Sequence, residues 1–415
     1  MKALLVSFYF PPAGGGGVQR PLKLASHLPE FGIEVHVLAP DDSKWIHCDE
    51  ELQAPANAVI HRARYIGPRG RLPAEELHGL RGASRLRRQV ALTPRRFVIP
   101  DENAPWALTA TREAVRIVRE HDIDVVITTS PPNSIHLIGG MVKQRTGVHW
   151  VADLRDSLTS KSDRQIERMS VRAKERAQVW VAALVAARAD GVVGATDSIA
   201  EELRRLNPGL RTAVVPNGAD YEDFDGLEYS PGERFRITHT GSFFGKRDPR
   251  PFLQALEACD DSVLARFVGE FRRSDREWVE GLGLEDRLEL HPFLPHRQTL
   301  ELQRNSEALL LLLPEIGERG RDVPSGKLFE YLAAQRPILA IVPPDGAAAD
   351  LVRETGAGTV VAPDDVDGIG AAIDELVRRW RSGTLDGPML NEDVRVRIDR
   401  RTRSAEFAAF LHELV

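Results

Sequence analysis

The residues best suited to chemistry lie in the stretch Arg321-Asp322-Val323-Pro324-Ser325-Gly326-Lys327-Leu328-Phe329-Glu330. Asp322 ends a loop, Ser325 and Gly326 open a helix, and Glu330 lies one turn inside it, three residues after Lys327. Carboxylates so placed accept hydrogen bonds from sugar hydroxyls, and the unpaired N–H groups of a helix start receive phosphate. The plainer alternative is a Lys327–Glu330 surface pair on a helix that buries Leu328, Tyr331, Leu332 and Ala333. A second stretch, Gly241-Ser242-Phe243-Phe244-Gly245-Lys246-Arg247-Asp248, leaves an apolar run just before a helical one. Two cations at a strand's carboxyl end suit a diphosphate that must be held and then stabilised as it departs, although Lys-Arg pairs are also common on solvated surfaces.

A third stretch is the run Gly14 to Gly17. Glycine lets the backbone approach a ligand closely, and the helix that follows offers its first amides to an anion. The run is not the dinucleotide fingerprint: counting from Gly14, Gln19 stands at the sixth position, and no acidic residue closes the second strand at Leu38. A flexible turn is its plainer reading. Asp122-Ile123-Asp124 has the spacing of a metal-binding pair. It sits where a helix turns into a strand, away from the carboxyl ends at which α/β sheets bind ligands, so no metal is expected there. His136, shortly after Pro131-Pro132-Asn133-Ser134, is either an acceptor-side group or a satisfied structural histidine. The six tryptophans are scattered, with Trp45 and Trp106 expected in loops of the first half.

These residues need a scaffold, and the pattern supplies one. Short apolar runs at 3–8, 34–38, 125–128, 150–152 and 191–193 alternate with helical periodicity near 18–28, 108–120, 135–146 and 164–188. After Val215-Pro216-Asn217-Gly218 the series restarts, with strands at 235–240, 264–268, 288–290, 308–313, 338–342 and 359–361 and helices between them. Such alternation predicts two doubly wound, parallel α/β domains. A final helix over about 400–414 carries Phe407, Phe410, Leu411 and Leu414 on one side and should pack back on the first domain.

With 415 residues, 42% hydrophobic and 28% charged, the chain is long enough for two cored domains and is neither disordered nor fibrous. Two cysteines exclude a disulfide framework and favour a reducing cytoplasm. No apolar run is long enough to span a membrane, and the start MKALLVSFYFPP reads as a strand rather than a signal peptide. Charge is uneven: residues 1–215 hold 30 Lys+Arg against 24 Asp+Glu, whereas 216–415 hold 25 against 37. Ten arginines fall within 61–96, a stretch suited to anionic lipid, phosphate or nucleic acid, or to an ordinary solvated face.

Taken in order, FYFPPAGGGGVQR at 8–20, TSPPNSIHLIG at 129–139, WVADLRDSL at 150–158, VPNGAD at 215–220, TGSFFGKRDPRPFL at 240–253 and VPSGKLFEYLAAQRPIL at 323–339 resemble the family 4 glycosyltransferases, within them the bacterial members that open with FPPxGGxGVQR. The resemblance implies an α/β protein of the GT-B fold, with two Rossmann-like doubly wound domains facing across a cleft. It divides the chain into an acceptor-side domain at 1–215, a nucleotide-sugar donor domain at 216–398 and a helix at 399–415 returning to the first domain. The implied reaction is metal-independent hexosyl transfer with retention, from a nucleotide diphosphate sugar to a glycan or lipid-linked acceptor, with no other cofactor and no nucleic acid partner. The family's two acidic donor-holding positions, eight apart, fall on Asp322 and Glu330, the first being Asp where Glu is usual. Its diphosphate-gripping cations fall on Ser242 and Arg247, which leaves Lys246 as substitute for the first, and its His-Asp pair falls on Arg155-Asp156.

The resemblance thus assigns catalysis to Asp322, Arg247 and Asp156; the donor to Gly15, Gly16, Lys246, Ser325, Lys327, Leu328 and Glu330; and the acceptor side to His136 and Arg155. The cysteine usage places the protein in the cytoplasm, and the basic first half would hold it weakly by charge at the inner membrane face, a soluble acceptor being the alternative. Two alternatives share the architecture, a nucleotide-sugar 2-epimerase and a degenerate, non-catalytic nucleotide-sugar binder.

Overall fold

The structure, a computed structural model, describes residues 1–41, 47–67, 82–83, 98–159, 169–243, 247–314, 321–322 and 324–415. The chain divides into two compact units, Met1–Pro216 with Arg401–Val415, and Asn217–Arg400.

The first unit is built on a seven-stranded parallel sheet of order β3-β2-β1-β4-β5-β6-β7. Its strands are β1 (Lys2–Ser7), β2 (Glu34–Pro40), β3 (Ala58–Ala63), β4 (Val125–Ser130), β5 (His149–Leu154), β6 (Gly191–Gly194) and β7 (Arg211–Val214). Helices α1 (Gly16–His27), α2 (Trp106–His121), α3 (Ile135–Thr146), α4 (Met169–Arg188) and α5 (Asp197–Leu206) connect them. The central strands are buried on both faces, and apolar over most of their length, because helices cover both. β3 and β7 escape the apolar pattern, since edge strands are half-buried and partly polar.

Asp122 ends α2 in the left-handed region, φ 52°, and Asp124 Oδ2 accepts the Lys2 amide at 2.7 Å. That pair is therefore spent on the helix-to-strand turn. Trp106, expected in a loop, instead opens α2 and is buried against Phe8, because its indole completes the core between α2 and the sheet. Trp45 lies outside the described residues.

The second unit has a six-stranded parallel sheet of order β10-β9-β8-β11-β12-β13. Its strands are β8 (Phe235–Thr240), β9 (Val263–Val268), β10 (Leu288–His291), β11 (Ala308–Leu312), β12 (Ile338–Ile341) and β13 (Gly358–Val361). The helices are α6 (Arg250–Ala258), α7 (Arg273–Glu280), α8 (His296–Arg304), α9 (Gly326–Ala334), α10 (Ala347–Thr355), α11 (Val366–Arg381) and α12 (Glu392–Ile398). The last helix, α13 (Arg400–Leu414), buries Phe407 and Leu411 in the core under β1 and β2, which is why it belongs with the first unit.

Each sheet reverses its winding once, between β1 and β4 in the first unit and between β8 and β11 in the second. Loops leaving the two strands at such a point go to opposite faces and open a crevice at the carboxyl ends. The glycine run follows β1, the Gly241–Asp248 stretch follows β8, and the segment leading to α9 follows β11.

Candidate functional site

In the second unit, α9 brings its first turn over the end of β8. Gly241 has φ 117°, and a side-chain carbon there would fall 2.3 Å from Lys327 Cε and 2.6 Å from Nζ. Only glycine leaves room for that ammonium at the end of the strand. Burial, reinforced by the charge of Arg247, pushes the Lys327 amine down to about 7, while Glu330 opposes the shift. Lys327 and Arg247 are thus close enough to repel, an arrangement that an anion lying between or beside them would relieve.

Glu330 does not pair with Lys327 at the surface. Its Oε1 faces His296 Nε2 at 3.5 Å, and its Oε2 accepts from Gln303 Nε2 at 3.3 Å. Both partners come from α8, seven residues apart on one helical face. Burial tends to raise the Glu330 carboxyl, but His296 and Gln303 outweigh it and hold the group below its ordinary value. Burial likewise opposes the His296 cation, and the facing Glu330 carboxylate still lifts it above the ordinary imidazole range.

The helix is anchored by Tyr331, whose hydroxyl accepts the Thr240 amide at 2.9 Å and reaches the Leu310 carbonyl at 3.3 Å. Gln303 Nε2 also donates to Thr240 Oγ1 at 3.0 Å. His239, buried at the end of β8, stacks on Phe243 and donates through Nδ1 to the Leu310 carbonyl at 2.8 Å. β8, β11, α8 and α9 are therefore fixed to one another around Lys327 and Glu330.

Ser325 opens α9 without a side-chain cap, and its carbonyl takes the Leu328 amide at 2.9 Å. Leu328, expected at the donor, has its side chain fully buried in the core. Ser242 Oγ accepts the Glu270 amide at 3.0 Å and so supports a loop where a cation was expected. Asp322 is exposed, and no described contact joins it to Glu330. Lys246 lies outside the described residues.

The first unit has its own polar centre at the β1/β4 crevice. Arg20, from α1, clamps Asp153 with Nη2–Oδ1 at 2.7 Å and Nε–Oδ2 at 3.0 Å, and Thr129 donates to the same carboxylate at 2.7 Å. Burial would raise the Asp153 carboxyl, yet Arg20 wins and holds it below its ordinary value. Arg155 is buried too and donates to the carbonyls of Ser130, Gly17 and Pro131, which makes it a brace between β4, β5 and the glycine run.

His136 is sealed inside, with Nδ1 2.9 Å from Thr128 Oγ1, and burial drives its imidazole down to about 3. It is neutral and lies wholly within the core. Asp156 is exposed. Gly15 takes φ 92° at the start of α1, and around Gly15 and Gly16 nothing stands within 4 Å of where a side chain would begin. That open ground lets a ligand approach the helix start.

His296, Gln303, Arg20 and Asp153 were not singled out as site residues in the sequence. The i, i+7 spacing of His296 and Gln303, and a carboxylate closing the apolar strand β5, are the signals that mark them.

A doubly wound pair of sheets, each with polar side chains converging at its switch point, defines a two-domain nucleotide-binding type of α/β protein. Residues 15–218 match the profile of the glycosyl transferase 4-like domain. Over its whole length the chain is similar in structure to sucrose-phosphate synthase from Thermosynechococcus elongatus, at 16% identity, TM-score 0.67 and 98% coverage of that chain. It is similar also to HepE of Anabaena solved with UDP and glucose, at 16% identity, TM-score 0.66 and full coverage of both chains. A glycosyltransferase from Rickettsia africae aligns over 100% of this chain and 98% of its own, at 11% identity and TM-score 0.61. No curated protein matches by sequence. The fold is GT-B, as in these neighbours, and the match to the glycosyl transferase 4-like domain lies in residues 15–218. No helix among the described residues is long and apolar enough to cross a membrane.

Proposed function

We propose that the protein transfers a hexosyl group, with retention and without a metal, from a nucleotide diphosphate sugar to a glycan or lipid-linked acceptor. The observation that carries this reading is the convergence at the β8/β11 switch point: Lys327 over Gly241 beside Arg247, with Glu330 clamped by His296 and Gln303. Two cations suit a diphosphate, and a carboxylate held ionised suits the paired hydroxyls of a ribose. HepE, which shares the fold, was solved with UDP and glucose, and this supports a nucleotide sugar as donor.

In the proposed reaction the bond from the anomeric carbon to the diphosphate oxygen breaks and an acceptor oxygen bonds to the same face. The acceptor's proton leaves with the diphosphate, whose growing charge Arg247, Lys327 and Lys246 neutralise. Cations already aimed where charge develops lower the barrier more than they tighten ground-state binding. Asp322 and Asp156 remain the proposed contacts to the transferred sugar and to the acceptor side.

The test is a panel of nucleotide sugars read by thermal shift and by donor hydrolysis in EDTA, followed by NMR of the anomeric proton in the transferred product. One stabilising donor consumed without added metal, with its configuration kept, is the expected result. An inverted product would overturn retention, and a strict requirement for a divalent ion would overturn metal independence. Conversion of donor alone into its 2-epimer would establish the epimerase alternative.

A further inference from the structure

We infer a transition-metal site in the first unit, formed by His36 on β2, His61 on β3 and His121 in the last turn of α2. One ring nitrogen from each of the three lies within 4.8 Å of the others, and His36 Nδ1 is 2.9 Å from His61 Nε2. The rings gather closely: His36 and His61 lie near parallel at 5.2 Å and 10°, and the His121 ring, tilted 48° to His36, has its centre 4.5 Å from that of His36. His36 is almost wholly buried, on the same side of the sheet as Leu38 and Leu4, while the other two are half-buried and open to an incoming ion.

The chemistry favours a borderline divalent ion. Three imidazoles on a tetrahedral centre with Zn–N of about 2.0–2.1 Å need nitrogens about 3.4 Å apart, and 2.9 to 4.8 Å brackets that spacing within ordinary side-chain adjustment. An outer partner is in place as well, because Glu34 Oε1 lies 3.1 Å from His36 Nε2. A carboxylate there accepts a hydrogen bond from Nε2–H and leaves the Nδ1 lone pair facing His61 Nε2, just as an outer carboxylate fixes the tautomer and orientation of a metal-bound histidine. Without an ion, that tautomer obliges His61 Nε2 to donate to His36 Nδ1. With one, the His61 proton moves to its other nitrogen and both lone pairs face the metal.

Neighbouring cations are themselves engaged, Arg116 with Glu113 and Glu120, and Lys2 Nζ with the His121 carbonyl. Site and catalysis are separate matters here, since none of these residues belongs to the proposed donor or acceptor groups. The ion would staple edge strand β3 and the end of α2 to β2, which makes it structural in effect and independent of the transferase reading.

The experiment uses tag-free, chelator-stripped full-length protein titrated with Zn2+, and with Co2+ as a spectroscopic probe. Expected are one equivalent of Zn2+, a rise in Tm on binding, and Co2+ absorption bands typical of a four-coordinate nitrogen site. His61→Gln and His121→Gln, at half-buried positions, should each lower Zn2+ affinity at least tenfold while circular dichroism is unchanged. Glu34→Gln should lower it about tenfold to a hundredfold through the outer partner. Absence of saturable binding by the wild type, or equal affinity in the wild type and both histidine variants, would overturn the assignment.

Discussion

Glu330 shows what a single side chain can be asked to do here. Its carboxylate is half-buried, held ionised by His296, and leaves capacity for two hydroxyl donors. Charge-assisted bonds of about 1.5–3 kcal/mol each mean that Glu330→Gln should weaken nucleotide-sugar binding by more than about tenfold with the fold intact, as calorimetry and circular dichroism would report. Lys327 carries a pH signature. Its amine titrates near 7 in the free protein, and a bound diphosphate favours the charged form and raises that value. Above pH 7, binding must therefore take up a proton, so affinity should fall with rising pH by up to about tenfold per unit. A nucleotide sugar has no ionising phosphate in that range, and Lys327→Met should flatten the profile, which assigns the proton to the lysine rather than to His296.

At the scale of elements, the second site depends on how closely α9 can approach β8. Gly241→Ala combines φ 117° with a side-chain carbon 2.3 Å from Lys327, so donor affinity should fall to about that of a Lys327 truncation. Gly356→Ala is the control: φ 61° with nothing within 4 Å means strain of about 1–3 kcal/mol in stability, with donor binding unchanged. In the first unit, Asp153→Ala leaves the Arg20 guanidinium buried without its counter-charge, and urea unfolding should show a loss of about 3–5 kcal/mol. Equal stability of that variant and the wild type would mean that Arg20 has another anion to turn to.

For the whole molecule, the first 215 residues are net basic and the rest net acidic. An anionic surface should therefore engage the first unit, at about 1 kcal/mol for each cation that comes near it. Co-sedimentation with vesicles is expected to rise with anionic lipid content and to vanish at high salt; binding indifferent to both would remove the membrane from the acceptor proposal. Of the ten arginines in 61–96, Arg62 and Arg64 alone fall among the described residues, at and just after β3.

The alternation of apolar runs and helical periods determined both sheets, their parallel character and most of the connecting helices, because a strand covered on both faces must be apolar throughout. The same rule hid β3 and β7, which are edge strands, and α5 and α12, which are short and capped by Thr196 and Asn391 rather than marked by a long apolar stripe. Motif spacing likewise marked Lys327, Glu330 and Arg247, since those residues follow strand ends in the chain. Which groups face them is a different kind of information. His296 and Gln303 reach Glu330 because α8 packs on α9, Arg20 reaches Asp153 across 133 residues, and His36, His61 and His121 meet because α2 lies over β2. His136 and Leu328 are the converse: both stand in the right stretch of sequence, and the packing of their helices turns them inward. Local pattern reports what each segment must bury, whereas the partner of a polar group depends on which helix face the tertiary packing turns toward it.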